Sequence, residues 1–456
     1  MKKSINPALE GSPVVGYLKF AIPSVIALLA MSAAPIIDGL FIANFVGVEG
    51  LAAINLIIPV FTIVLGVAYM IAIGGSVTAG KFIGEKNQEA ASDIFSKTLI
   101  VGILYSFLLL LAGNVWSEGL FALLGAQPDL FPLMHDYLDW LLWFMPTYIV
   151  GIVYYYYVRI SGFPTLVSVA IVVGVLINVI LNYLLIGLLN YGLAGAAIAT
   201  GISSIVMLLI MLTYRLFKDS WLRFNFPKSD WKIMARAAYN GISDFMDEVS
   251  AGIVTFVLNL IVIKTWGSGG VAAFSVAIYS LYVGYLFYFG LSEALQAVSS
   301  QCFGAKNVYR LREFLKINTI MVVISGALFT TILFFFGEVF IGFFIDPGEA
   351  DLVALSRSFI LILSPIFIFN GLNIMISGYL TAVHRPGPSA SIAVLRAMIF
   401  PLALLYILIN YFPEIPFPAA VTGGEILALV LAVFLFMKFR PSKVVPKPSP
   451  ALKETV

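Results

Sequence analysis

A single cysteine, Cys302, occurs in 456 residues, which excludes a disulfide framework and a metal cluster built from thiolates. The two histidines, His135 and His384, stand far apart with no ligand spacing between them, so no zinc-type centre is expected. No Gly-x-x-x-x-Gly-Lys-Ser/Thr stretch is present, which argues against ATP as a partner. Nor is there the nucleophile or metal constellation that a membrane-embedded enzyme would need, so the chain is not expected to be an enzyme. Charge is scarce as well: 11% of residues are charged, against ~25% in a soluble domain. So few charges could not dress a water-exposed surface. The net charge is +2 and the basic residues do not gather on one patch, which speaks against nucleic acid.

What is abundant is apolar. Sixty-one per cent of residues are hydrophobic and the mean hydropathy is +1.01. Crossing the hydrocarbon core takes ~20 apolar residues, and twelve such segments can be read, at roughly 17–46, 51–77, 94–116, 137–158, 165–187 and 191–216, then 234–265, 270–296, 317–343, 354–380, 389–411 and 417–438. Lys2 and Lys3 precede the first of these as in a signal peptide. That run, however, continues past Asp38 to Val46, so it reads as a retained helix. Prolines 23, 35, 59, 365 and 401 punctuate the segments, and membrane helices tolerate this where neighbours satisfy the freed carbonyls. With the N-terminus inside, only Lys264 and Arg357 of the 26 Lys and Arg fall outside, so both termini are expected in the cytoplasm. The organisation predicted is residues 1–216 as a first lobe, 217–232 as a cytoplasmic linker, 233–438 as a second lobe and 439–456 as a disordered tail.

The chain also repeats itself. Residues 50–87 align without a gap to 270–307, an offset of 220: Gly50, Ala52 and Ala53 match Gly270, Ala272 and Ala273, and the loop Gly84-Glu85-Lys86-Asn87 matches Gly304-Ala305-Lys306-Asn307. Six helices per repeat force both repeats into the same orientation across the bilayer. A duplicated bundle of this kind is expected to place a substrate path between its halves, as a transporter needs.

These residues bring a family into view. Ile22-Pro23, Pro35-Ile36-Ile37-Asp38, the doubled Gly-x-Lys-Asn loops, Asn178, Asp247-Glu248 and the stretch from Gly290 to Gln296 are similar to the multidrug and toxic compound extrusion (MATE) transporters, over roughly residues 15–437. The resemblance implies an all-α membrane protein of two pseudo-symmetric six-helix lobes in a V, alternating between inward and outward openings. It further implies export of amphipathic, often cationic compounds from the inner membrane. Inward H⁺ or Na⁺ would drive this, with no other cofactor, and a monomer is expected. A lipid-linked oligosaccharide flippase of the same superfamily is the alternative. It would need basic groups to grip pyrophosphate, and Arg396 alone qualifies. The basic loop from Gly80-Lys81 to Asn87 does not resemble the Asp-Arg-x-Gly-Arg signature of major-facilitator carriers.

Ionisable groups at membrane depth are functional candidates by default. Asp38 lies ~12 Å below the outer end of the first segment at ~1.5 Å per residue. Asn178 and Asn182, at i and i+4, share a face of the fifth, and Thr200 enters to matching depth on the sixth. The four can converge to offer a coupling ion carboxylate, amide and hydroxyl oxygens, and a Na⁺ there would draw on Asp38, Asn178 and Thr200. The family carries a second acid where this chain has Asn182, which removes one negative charge and tips the expectation toward a proton. In the second half Asp244 and Glu248 share a face, with Asp247 turned about 100° away. No Lys or Arg stands between Arg236 and Lys264, so three uncompensated carboxylates are expected to share protons. Glu248 best matches the family's acidic position, while Asp244 could also be a solvated residue of the inward opening. Glu293 and Glu425 are weaker candidates: Glu293 as a solvated or capping group near a helix end, Glu425 at a depth not expected to meet Arg396. Tyr154 to Tyr157 are predicted to sit in an interfacial aromatic belt.

Overall fold

The computed structural model describes residues 6–445 except 218, 219, 229, 347 and 413. Its described residues form two compact units, Met1–Gly241 and Ile242–Val456. The first contains α1 (Pro13–Phe45), α2 (Val48–Gly84), α3 (Gln88–Leu123), α4 (Phe131–Ile160), α5 (Pro164–Leu188), α6 (Gly192–Leu216) and the short α7 (Lys232–Asn240). The second contains α8 (Ile242–Thr265), α9 (Gly269–Gly304), α10 (Val308–Ile341), α11 (Ala350–Leu363), α12 (Ile366–Ala382), α13 (Pro386–Tyr411), α14 (Ala419–Lys438) and a final turn, α15 (Pro441–Val444). Among the described residues eleven helices are long and apolar enough to span a bilayer, and α11 with α12, bent by 45° around Pro365, makes a twelfth span. The chain is therefore all-helical across its spans, as the apolar segments predict.

The repeat extends beyond what the letters alone display. Gly47 and Gly267, 220 residues apart, join α1 to α2 and α8 to α9 with φ of +101° and +63°. With ψ of −172° and −157°, both occupy backbone space that is essentially restricted to glycine. Lys86 and Lys306 hold φ of +59° and +55° in the matched loops. Asn87 and Asn307 then cap α3 and α10, their side chains accepting from the N–H groups of Ala90 and Arg310 at 3.0 Å each. Slightly farther on, at an offset of 222, Gly162 and His384 take positive φ two residues before Pro164 and Pro386, which open α5 and α13.

Two expectations change, and the linker gains definition. The predicted seventh segment, 234–265, is broken at Gly241: α7 is a separate amphipathic helix that packs on α2 in the first unit. A Cβ on Gly74 would lie 1.9 Å from the Ala237 carbonyl oxygen and one on Gly241 2.2 Å from that of Met70. Backbone therefore rests on backbone, and residues 233–241 belong with the first unit rather than with the second lobe. The linker is held down as well. The N–H groups of Arg223, Asn225 and Lys228 donate to Ser92 Oγ, Ser96 Oγ and Asp93 Oδ1 of α3 at 3.2, 2.9 and 2.8 Å. Finally, residues 441–445 of the expected disordered tail are ordered, with Pro441, Val444 and Val445 buried and α15 packed on α10. The remainder of that tail, 446–456, lies outside the described residues.

Candidate functional site

In the first unit α1 lies along α5, and α5 along α6, so Asp38, Asn178, Asn182 and Thr200 come together. The Asn182 amide Nδ2 donates to Asp38 Oδ1 and also to Asn178 Oδ1 at 3.3 Å. Asn178 Nδ2 in turn donates to Thr200 Oγ1 at 3.4 Å, and Asn178 and Thr200 also reach Asp38. Asn178 and Asn182 are buried, and Asn182 Oδ1 has no hydrogen-bond partner. The set thus offers one carboxylate, one orphaned amide oxygen and a hydroxyl, a chemistry that can hold a proton or a hard cation. Immediately after Asn182 the helix widens into a π segment, Tyr183–Leu188, a distortion that is rare in ordinary helices and common at functional sites. Tyr137 of α4 lies within electrostatic range of Asp38, a neighbour that the sequence alone did not flag.

The second unit corrects the expectation of uncompensated acids. Arg396, in a second π segment (Leu395–Ile399) inside α13, donates through Nη2 to Asp247 Oδ1 and through Nη1 to Glu425 Oε1 at 3.2 Å. Arg396 and Glu425 were expected at different depths, yet they form a buried ion pair. Helix α13 begins at Pro386, before the predicted start near 389, so Arg396 lies farther into its span than expected. Two asparagines one turn apart on α12 complete the cluster: Asn370 Nδ2 and Asn373 Nδ2 each donate to a Glu425 carboxylate oxygen at 2.7 Å, and Asn373 also donates to the Glu425 carbonyl at 2.9 Å. Their own Oδ1 atoms and Arg396 Nε are buried without partners. Sequence reasoning missed Asn370 and Asn373. Their i, i+3 spacing in an otherwise apolar run was the available signal.

Around this network stand the remaining acids. Asp244 accepts from Ser243 Oγ at 3.3 Å and lies within the fields of Asp247 and Glu293. Glu248 feels the charge of Asp247. Glu293, predicted as solvated or capping, is 7% exposed instead, because the last turns of α9 run under α10 and α12. Asp244, Asp247, Glu248, Glu293 and Glu425 therefore share one unit, and Arg396 pairs with two of them, Asp247 and Glu425. Tyr154 to Tyr157 are also corrected. None is more than 6% exposed, since α4 is surrounded by α2, α3, α5 and α6. Tyr157 Oη bonds Thr98 Oγ1 at 2.7 Å, and the Arg159 guanidinium stacks on Tyr155 and Tyr156.

Twelve spans in two like-built halves, the first holding a lone carboxylate among neutral side chains and the second a buried ion-paired cluster, define a polytopic membrane transporter. The family model MatE matches residues 23–184 and again 249–407, more than half of the chain and once in each half. The chain belongs to the MATE family. It is 22% identical over 396 residues to the multidrug export protein MepA of Staphylococcus saprophyticus, covering 86% of each chain. To MepA of Staphylococcus aureus (strain MSSA476) it is 24% identical over 405 residues, covering 87% of this chain and 88% of that one. The fold is that of a crystal structure of MATE in complex with MaL6, with a TM-score of 0.89 at 22% identity, over 97% of this chain and 99% of the other.

Proposed function

We propose that this protein is an antiporter that exports amphipathic, often cationic drugs or toxins across the inner membrane, driven by an inward cation gradient. Family membership and the MepA relatives, named for multidrug export, support the export reading. The observation that carries the coupling is Asp38, a lone carboxylate held by three neutral side chains at membrane depth. The Asn182 amide turns a nitrogen, not an oxygen, toward it. A Na⁺ would have to trade its hydration shell for one charge and few dipoles, whereas a proton needs only the carboxylate, so the coupling ion is read as H⁺. Efflux from everted vesicles with pH and Na⁺ gradients imposed separately is expected to follow the pH gradient. Asn182→Asp is expected to add Na⁺ sensitivity. Strict Na⁺ dependence with no response to a pH step would overturn the proton reading. The flippase alternative is disfavoured because Arg396, its one basic candidate, is already committed to Asp247 and Glu425.

The protein is further proposed to work as a monomer with both termini in the cytoplasm. Glu85→Cys and Ala305→Cys fall on exposed turns of the matched loops, and the native Cys302 is buried, so background labelling is low. Both sites are expected to react with a membrane-impermeant maleimide from the cytoplasmic side alone. Labelling of either from outside would break the parallel-repeat topology.

A further inference from the structure

The internal repeat supplies a comparison for a cavity lined by none of the candidate site residues. At the basic end of the second unit, a cavity of about 470 Å³ opens between α10 and the end of α14. Its walls carry Arg312, Lys316 and Arg440, with Leu315, Phe436 and the Thr319 and Ser442 hydroxyls between them. Counting back 220 residues from Arg312 and Lys316 gives Ser92 and Ser96 of α3. There the chain fills the position itself, since those hydroxyls receive the N–H groups of Arg223 and Asn225 from the linker that follows α6. In the second half the serines have become cations and the space is open. Arg312, Lys316 and Arg440 form no ion pair with any described residue, and Glu313, between the first two in sequence, is not part of the walls. Three like charges lining one cavity repel unless an anion joins them.

We infer that this cavity binds the phosphate of an anionic phospholipid headgroup. Phosphate matches the chemistry, because guanidinium forks and an ammonium can divide its oxygens while the hydroxyls donate at the side. The neighbouring surface argues for a lipid over a free ion. Ile320 and Ile324 continue the Lys316 face of α10 at four-residue spacing and are 48% and 63% exposed, a track along which an acyl chain can lie. Basic clusters where spans meet the headgroup layer gain affinity for anionic lipid with each cation they hold.

The test titrates short-chain phosphatidylglycerol, phosphatidylcholine and inorganic phosphate separately into the delipidated full-length protein in detergent, with binding read by native mass spectrometry. Wild type is expected to retain phosphatidylglycerol over phosphatidylcholine. Arg312→Gln/Lys316→Gln/Arg440→Gln should weaken that binding on the order of 100-fold, since each cation contributes roughly a factor of five. Lys443→Gln, which removes a nearby charge outside the cavity, should leave it unchanged. Equal binding by the triple variant would overturn the site, and saturation by inorganic phosphate without lipid preference would overturn the lipid assignment. A chain ending at Val445 that binds lipid where the full chain does not would show that the protein's own C-terminal segment is the occupant. None of these readouts depends on drug efflux or on the coupling ion.

Discussion

Asp38→Asn is expected to abolish gradient-driven efflux, reducing it to the passive leak, while the protein folds and still binds drug. The physical reason is local. Asn182, Asn178 and Thr200 already satisfy a side chain of that shape with hydrogen bonds. Asparagine keeps the geometry and removes the only ionisable group among the four. An acid near the middle of a span costs about 3 kcal/mol on insertion scales. The neutral variant should therefore melt at or above the wild-type temperature. The decisive pair of measurements is transport in vesicles beside thermal unfolding in detergent. A variant that melts normally and still antiports at the wild-type rate would remove Asp38 from the coupling role. A variant that loses both fold and transport would make Asp38 a helix-pairing residue, which is the other known use of polar groups in membrane bundles.

Arg396 should give the largest stability effect in the chain. Arg396→Met leaves Asp247 and Glu425 buried without their shared cation, and removing one side of a buried pair costs about 3–5 kcal/mol. Here two carboxylates lose a partner at once, so the upper part of that range is expected, with a matching fall in melting temperature. Glu425→Gln in the same background should recover much of the loss, because a neutral amide keeps company with Asn370 and Asn373 without a stranded charge. Non-additivity in the double-mutant cycle is the signature of the network. Should Arg396→Met melt with the wild type, the guanidinium would not be holding the cluster together, and the three acids of α8 would have to share protons without it.

The twelve spans and the convergence of Asp38 with Asn178, Asn182 and Thr200 were legible because each rests on length or periodicity. A four-residue spacing on one helix and matched depth on two others were enough to place the first cluster. The second cluster was not legible, for a reason visible in α13. The expected depth counts from a helix start near 389, whereas α13 begins at Pro386, which carries Arg396 farther into the span. The boundary of the first unit escaped for a different reason. Read from sequence, the weakly apolar Lys232–Asn240 merges with the apolar span after Gly241, whereas the separation of α7 depends on two glycines, Gly74 and Gly241, that let backbones touch. The tyrosines at 154–157 illustrate a third limit: composition can say that aromatic rings suit an interface, but only packing says how many neighbours a helix has.

The two π segments carry a consequence for the kinds of change this chain can accept. Each helix has absorbed one residue beyond its regular count, closing bonds from Leu189 to Leu184 and from Phe400 to Leu395 across five residues. A lone residue added to a helix turns everything beyond it by about 100°. Because the π turn takes up its extra residue locally, deleting one residue from Leu395–Ile399 would restore a regular helix and leave Pro401 and Leu405, both buried, near the faces they now occupy. An indel in the regular turns rewinds the rod, whereas a deletion inside a π segment removes only the bulge. In the two spans that hold Asn182 and Arg396, a single-residue deletion inside the π segment should be tolerated better than one in the regular turns on either side.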